Sequence, residues 1–137
     1  MCIRDSPHFV IVSDNPDKPG RLTSIDSIEK NEAIFDVSPE SFADLEAILK
    51  NAGTILWNGP LGFFEKENFD KGTIKIAKMI CSSKGFSVAG GGDTIAAAQK
   101  AGVLDKLDYV STAGGAFLEF MEGRKLPGVE ALRDKVN

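Results

Sequence analysis

The run Gly90-Gly91-Gly92-Asp93-Thr94 has the clearest chemical potential in this chain. It follows a short apolar stretch, residues 86–89, and precedes an alanine-rich helical pattern, residues 94–101. Glycine lets the backbone approach a ligand closely, and the first N–H groups of a helix lack partners, so this combination can bind phosphate. Asp93 can reach a magnesium ion and Thr94 a phosphate oxygen. The alternative is that Asp93 is only an N-cap and the glycines only a tight turn.

Two further segments combine a strand-like run with glycines. Residues 55–65 read ILWNGPLGFFE, and residues 111–119 read STAGGAFLE. Ser111 and Thr112 are not expected to act as nucleophiles because the single histidine, His8, is far away in the sequence. We expect Trp57 to lie in the core and at least one of Phe63 and Phe64 to pack rather than contact a ligand.

The elements that position these segments are predicted to be alternating strands and helices. Predicted strands cover residues 8–12, 21–28, 32–37, 54–57, 86–89 and 109–112, and the second of them is expected to be the edge strand of a hairpin. Predicted helices run from Ser38, as N-cap, to near Gly53, and over residues 70–82, 94–101, 115–122 and 129–135. Such alternation favours an α/β fold with a mainly parallel sheet and helices on its faces. All three glycine segments follow strands, so we expect them to converge where the strands end.

Composition excludes several classes of protein. The chain has 137 residues, 26% of them charged, and a net charge of −4, with no basic run that would favour nucleic-acid binding. No apolar run is long enough to span a bilayer, and no secretory signal is expected. Cys2 and Cys81 have no metal or redox spacing. These features favour one cytoplasmic domain.

The three glycine segments together closely resemble the phosphoglycerate kinase family. The family patterns are L-W-N-G-P-x-G-x-F-E, G-G-G-D-T and S-T-G-G-G-A-[SF]-L-E, and their order and spacing match this chain. The resemblance implies the C-terminal part of a nucleotide-binding domain, a three-layer α/β/α fold with a mainly parallel, Rossmann-like sheet. It covers residues 7–137, a partial nucleotide-binding domain, whereas residues 1–6 are expected to be a non-native leader.

The resemblance also implies roles for individual residues. The backbone of Gly91, Gly92, Asp93 and Thr94, together with the Thr94 hydroxyl, would hold the phosphates of ADP or ATP, with Asp93 positioning Mg²⁺. Gly114 and Gly115 would be catalytic, at the helix end facing the transferring phosphoryl group.

Other implied roles concern the remaining loop positions. Glu65 would accept hydrogen bonds from the ribose hydroxyls, or else is a solvated charge, and Asn58 would lie beside the nucleotide or only stabilise its own turn. Ala113 replaces a glycine of the family pattern, so that turn is expected to be less adaptable.

The implied reaction is phosphoryl transfer from 1,3-bisphosphoglycerate to Mg-ADP, giving 3-phosphoglycerate and ATP. The phosphoglycerate-binding domain and a phosphate-contacting lysine of the family have no counterpart in these residues. We therefore expect this chain alone to be inactive, and the full-length enzyme to be a monomer without membrane or nucleic-acid partners. Two alternatives are a noncatalytic nucleotide-binding module and a Rossmann oxidoreductase, although the latter requires a G-x-G-x-x-G motif that is not found here.

Overall fold

The computed structural model describes residues 6–133. Within them lie six strands: β1 (Phe9–Ser13), β2 (Arg21–Ser24), β3 (Ala33–Val37), β4 (Thr54–Trp57), β5 (Phe86–Gly90) and β6 (Tyr109–Ser111). The same residues form five α-helices: α1 (Ala43–Asn51), α2 (Lys71–Ser82), α3 (Gly92–Lys100), α4 (Gly115–Met121) and α5 (Pro127–Arg133). Residues 1–5 of the predicted leader lie outside the described residues. Residues 134–135, the predicted end of the last helix, also lie outside them.

The first three strands form their own antiparallel sheet, in the order β2-β1-β3. The sequence pattern did not predict this separation, because it suggested one mainly parallel sheet. The physical reason lies in the connections: residues 14–20 and 25–32 contain no α-helix, and parallel neighbours require a long crossover. Strand β2 ends at Ser24 because the Ser24 hydroxyl accepts a hydrogen bond from the Asp26 N–H and caps a 3₁₀ turn.

The last three strands form a parallel sheet in the order β4-β5-β6. Helix α2 connects β4 to β5, and α3 connects β5 to β6. This architecture confirms the predicted α/β class with a Rossmann-like parallel sheet flanked by helices. The register pairs Trp57 with Ala89 and Gly90 with Ser111, so the three strands end at one edge.

The main core lies between one face of the parallel sheet and helices α1, α2 and α3. Ile55, Trp57 and Ala89 supply the sheet side of this core, which confirms the prediction for Trp57. The helices contribute Leu49, Ile76, Ala77, Ile80, Ala97 and Ala98. Ile48, by contrast, is 51% exposed at the edge of the narrow apolar stripe of α1.

The opposite face of the parallel sheet is largely uncovered in the described residues. Leu56, Phe86 and Tyr109 are 43%, 52% and 54% exposed. Phe117 of α4 packs near Gly90, where an added Cβ would lie 2.8 Å from the phenyl ring. The second helical layer is therefore confined to the end of this face. Among residues 6–133, no helix has the length and apolar character needed to cross a membrane.

Candidate functional site

The three glycine segments meet at one cavity of about 290 Å³ at the carboxyl ends of β4, β5 and β6. Its lining is Asn58, Gly59, Gly90, Gly91, Gly92, Asp93, Thr94, Gly114, Gly115 and Leu118. The expectation that the segments converge is thus met by the geometry. Of the residues predicted for the site, Glu65 alone lies outside this lining. It is exposed, farther along the loop that follows β4.

Gly91 shapes the turn between β5 and α3. Its φ of +92° belongs to the left-handed region that favours glycine. The Gly91 N–H donates to the Ser111 carbonyl oxygen at 3.2 Å, which ties the turn to β6. A Cβ on Gly91 would lie 3.8 Å from the Gly114 Cα, so the glycine segments at residues 90–94 and 111–119 are in contact.

Asp93 occupies the first turn of α3, which begins at Gly92 rather than at Asp93 or Thr94. The N-cap is Gly91, and no side-chain hydrogen bond caps this helix. The alternative in which Asp93 is only an N-cap therefore does not fit the observed helix start. The Asp93 side chain is exposed and lines the cavity, where a negative charge near a helix N-terminus is favourable.

The cavity suits a magnesium ion only in company with a phosphate. No group of three or more metal-ligating side chains occurs within residues 6–133. Magnesium commonly uses one or two carboxylates, phosphate oxygens and waters, so a single exposed Asp93 fits that ion. The lining residues include no lysine or arginine. Positive charge opposite a bound phosphate would therefore come from the ion and from backbone N–H groups.

Thr94 is buried, in contrast to its neighbour Asp93, and is only 1% exposed. Its hydroxyl donates to the Gly90 carbonyl oxygen at 2.7 Å and accepts from the Gly59 N–H at 2.7 Å. Gly59 has a φ of +107°, again in the region that favours glycine. The Thr94 side chain therefore joins the turn after β4 to the end of β5.

The loop after β4 is held at several points along its length. The Trp57 indole N–H donates to the Gly59 carbonyl oxygen at 2.8 Å. Farther along, Phe64 is buried in the core, which confirms the packing role predicted for one of the two phenylalanines. Lys100 donates to the Phe64 carbonyl oxygen at 2.6 Å and pairs with Asp70 at 2.9 Å. These contacts fix the segment on which the exposed Glu65 lies.

The sequence analysis missed Asp36, which is 1% exposed. Its carboxylate accepts hydrogen bonds from the Val37 and Gly72 N–H groups, both at 2.8 Å. Burial raises the pKa of Asp36, and nearby Asp70 adds to the rise. The carboxylate joins β3 to the start of α2 and leaves no room for a Cβ at Gly62. The sequence signal that could have revealed Asp36 is a carboxylate within the otherwise apolar strand AIFDV.

The third glycine segment accommodates its alanine without backbone strain. Within residues 6–133, no residue other than glycine has a positive φ, so Ala113 does not adopt the left-handed backbone conformation that alanine disfavours. The expected loss of adaptability thus has no basis in the backbone. The Ser111 hydroxyl donates to the Ala113 carbonyl oxygen at 3.3 Å. The single histidine, His8, is exposed and precedes β1, which belongs to the antiparallel sheet.

A second cavity, of about 260 Å³, lies between α1 and α2. Its lining is Glu46, Leu49, Lys50, Lys75, Lys78, Met79 and Ser82. It contains none of the residues that the sequence singled out and no strand end. Because ligands of open α/β sheets bind at the carboxyl ends of strands, the glycine-lined cavity is the candidate site.

A parallel sheet whose glycine turns meet at its carboxyl edge defines a Rossmann-like α/β domain. The sequence model of the phosphoglycerate kinase family matches residues 6–124. The chain therefore belongs to the phosphoglycerate kinase family, a family of phosphotransferases.

Solved structures agree with this assignment. Phosphoglycerate kinase from Coxiella burnetii is 47% identical, with a TM-score of 0.83; the match covers 90% of this chain and 33% of that one. Phosphoglycerate kinase from Pyrococcus horikoshii OT3 is 35% identical, with a TM-score of 0.79, over 93% of this chain and 32% of that one. The chain thus spans about a third of the length of each of these relatives.

Proposed function

We propose that residues 7–137 are part of a nucleotide-binding domain that binds the phosphates of Mg-ADP and Mg-ATP. The observation that carries this proposal is the meeting of three glycine turns at one cavity with an exposed carboxylate. The backbone of Gly91 and Gly92 approaches the phosphates, and the first N–H groups of α3 bind them. Family membership supports the same ligand.

The exposed Asp93 carboxylate is proposed to hold Mg²⁺. When bound, the ion neutralises phosphate charge. Thr94 contributes its backbone N–H in the first turn of α3, since its hydroxyl already has two protein partners. Gly114 and Gly115 lie across the cavity, and we assign them to the side of the transferring phosphoryl group.

The nucleoside is proposed to extend from the cavity along the loop after β4. Asn58 lines the cavity at the start of this loop. Glu65 lies exposed farther along, where its carboxylate can accept from ribose hydroxyls. The contacts of Lys100 and the burial of Phe64 support a fixed position for Glu65, because they anchor the residue before it.

For the full-length enzyme, we propose a cytoplasmic monomer of glycolysis that transfers phosphoryl from 1,3-bisphosphoglycerate to Mg-ADP. Such transfer depends on positioning and charge stabilisation more than on covalent catalysis. Among residues 6–133 the cavity lining includes no basic side chain, so these residues supply no charge clamp for the transition state. We expect the 137-residue chain to bind nucleotide without turning it over.

The second candidate is a nucleotide-binding module without transfer, favoured by the same lack of a basic side chain. Both candidates predict that this chain binds nucleotide without transferring phosphoryl, so an activity assay tests the inactivity that they share. A coupled assay for ATP formation from 1,3-bisphosphoglycerate and Mg-ADP should show no turnover by this chain above background. Measurable turnover would contradict both the expected inactivity and the second candidate.

The test of nucleotide binding is a titration with Mg-ADP, followed by Trp57 fluorescence. The indole suits this purpose because its N–H is bonded to the Gly59 carbonyl at the edge of the cavity. We expect a saturable change that Asp93→Ala weakens and that Asp105→Ala, at an exposed aspartate outside the cavity, leaves unchanged. No response from a folded wild-type chain would contradict the proposed function.

A further inference from the structure

The Thr94 hydroxyl has little capacity left for a ligand. A hydroxyl carries one proton and two acceptor lone pairs. The proton points to the Gly90 carbonyl oxygen at 2.7 Å, and one lone pair accepts the Gly59 N–H at 2.7 Å. An ionised phosphate oxygen can only accept a hydrogen bond. The hydroxyl would therefore have to break its hydrogen bond to the Gly90 carbonyl oxygen before it could donate to a phosphate.

The same two bonds connect segments that are 35 residues apart in the sequence. Gly59 belongs to the turn after β4, and Gly90 is the last residue of β5. The Gly59 N–H takes part in no strand or helix ladder, so the Thr94 hydroxyl is its partner within the protein. Asn58 precedes this amide directly, and its position relative to the phosphate loop therefore depends on Thr94.

From these contacts we infer that the Thr94 hydroxyl is a positioning group that locks the Asn58-Gly59 turn onto the glycine loop. This inference rests on the proposed nucleotide site and deepens it. The phosphates are bound by backbone N–H groups and the ion, whereas the hydroxyl sets the distance between the two walls of the cavity. Its burial, at 1% exposed, agrees with a contact made within the protein.

The test compares Thr94→Val, which keeps the side-chain shape without the hydroxyl, with Thr94→Ser, which keeps the hydroxyl. NMR measures amide hydrogen exchange of Gly59 in the 137-residue chain without nucleotide, and calorimetry measures Mg-ADP affinity. Loss of a hydrogen bond of this kind predicts about tenfold faster Gly59 exchange and about tenfold weaker binding in Thr94→Val. Thr94→Ser should restore both.

Thr73→Val is the matched control. The hydroxyl of the buried Thr73, in α2, accepts from the Leu61 N–H at 3.1 Å. Leu61 lies in the loop after β4, as Gly59 does, but does not line the cavity. This variant should accelerate exchange at Leu61 and leave Gly59 as in the wild type. Equal acceleration at Gly59 would mean that the loop loosens as a whole, which would overturn a specific lock.

The remaining outcomes separate this inference from the proposed function. Weaker Mg-ADP binding with unchanged Gly59 exchange in Thr94→Val would show a direct phosphate contact and overturn the lock. Faster Gly59 exchange in Thr94→Val, together with a wild-type chain that binds no nucleotide, would support the positioning role of Thr94 and contradict the proposed function. Should Thr94→Val fail to fold, the wild-type chain still decides, because an unprotected Gly59 amide contradicts the inference.

Discussion

Two carboxylates near the β-strand ends occupy opposite environments. Asp93 is exposed beside the cavity, whereas Asp36 is buried against two backbone N–H groups. An exposed carboxylate can exchange water for an ion at low cost, while a buried one serves the fold at the expense of desolvation. The two residues therefore respond to different experiments: Asp93 to magnesium, and Asp36 to pH.

Asp93→Ala should change nucleotide affinity in opposite directions with and without magnesium. With excess Mg²⁺ the variant should bind ADP more weakly, because it loses the carboxylate proposed to hold the ion. With EDTA it should bind at least as tightly as the wild type, because a negative charge beside the phosphates has been removed. Calorimetry in the two buffers measures the difference. Equal weakening in both buffers would contradict a metal role for Asp93.

Asp36 should make the stability of the chain depend on pH in a predictable direction. Because burial raises its pKa in the folded state, its contribution is fully present below its unfolded pKa, about 3.9, and is lost as pH rises through the folded value. Asp36→Asn removes this titration. The free energy of unfolding of the variant, relative to wild type, should therefore improve as pH rises above the unfolded pKa.

Urea unfolding at several pH values measures this difference. The exposed Asp105→Asn serves as the control and should follow the wild-type curve. A constant offset between Asp36→Asn and wild type at every pH would show that folding does not raise the pKa of the buried carboxylate.

At the scale of elements, Lys100 connects the end of α3 to the start of α2. Its ammonium bonds to the Phe64 carbonyl at 2.6 Å and to Asp70, the residue before α2, at 2.9 Å. Asp70 is buried. The contact thus joins two helices and the loop that precedes them, on the side of the sheet that carries the core.

Lys100→Met should destabilise the chain by roughly 1–3 kcal/mol, because it leaves a buried carboxylate and a carbonyl without their partner. Lys50→Met is the matched control, since Lys50 pairs with Glu46 at the same distance of 2.9 Å but on the surface of α1. A surface pair of this kind contributes little to stability, because water screens the two charges. Urea unfolding of both variants checks the contrast, and equal losses would refute it.

At the scale of the whole molecule, one face of the parallel sheet is covered by helices and the other is open among the residues that the structure describes. Helices α1, α2 and α3 cover the first, whereas Leu56, Phe86 and Tyr109 remain exposed on the second. Contiguous apolar surface of this kind drives association in water. In the antiparallel sheet, β2 lies at an edge and has β1 as its only neighbouring strand among residues 6–133.

The 137-residue chain should therefore associate with itself through the open face. Leu56→Thr combined with Phe86→Thr should shift sedimentation toward monomer, because threonine keeps the strand preference and reduces apolar surface. Leu132→Thr is the control, since Leu132 is as apolar and 70% exposed but lies on α5. A wild-type chain that sediments as a monomer at all concentrations and melts in one sharp transition would contradict this prediction.

Local patterns in the sequence determined the elements around the site. Strands β4 and β5 and the helix after the glycine run were predicted to within a few residues, because apolar runs, glycines and helix starts act over neighbouring positions. Their order along the chain also placed three glycine segments at strand ends. The convergence of those segments then follows from the common edge of a parallel sheet.

Only the tertiary structure decided which groups meet across long stretches of sequence. The bonds from Gly59 to Thr94 and from Gly72 to Asp36 join residues 35 and 36 positions apart, and no local spacing encodes them. The same holds for the position of Glu65 outside the cavity lining. These features depend on how whole elements pack, because a buried hydroxyl or carboxylate takes whichever N–H the packing brings to it.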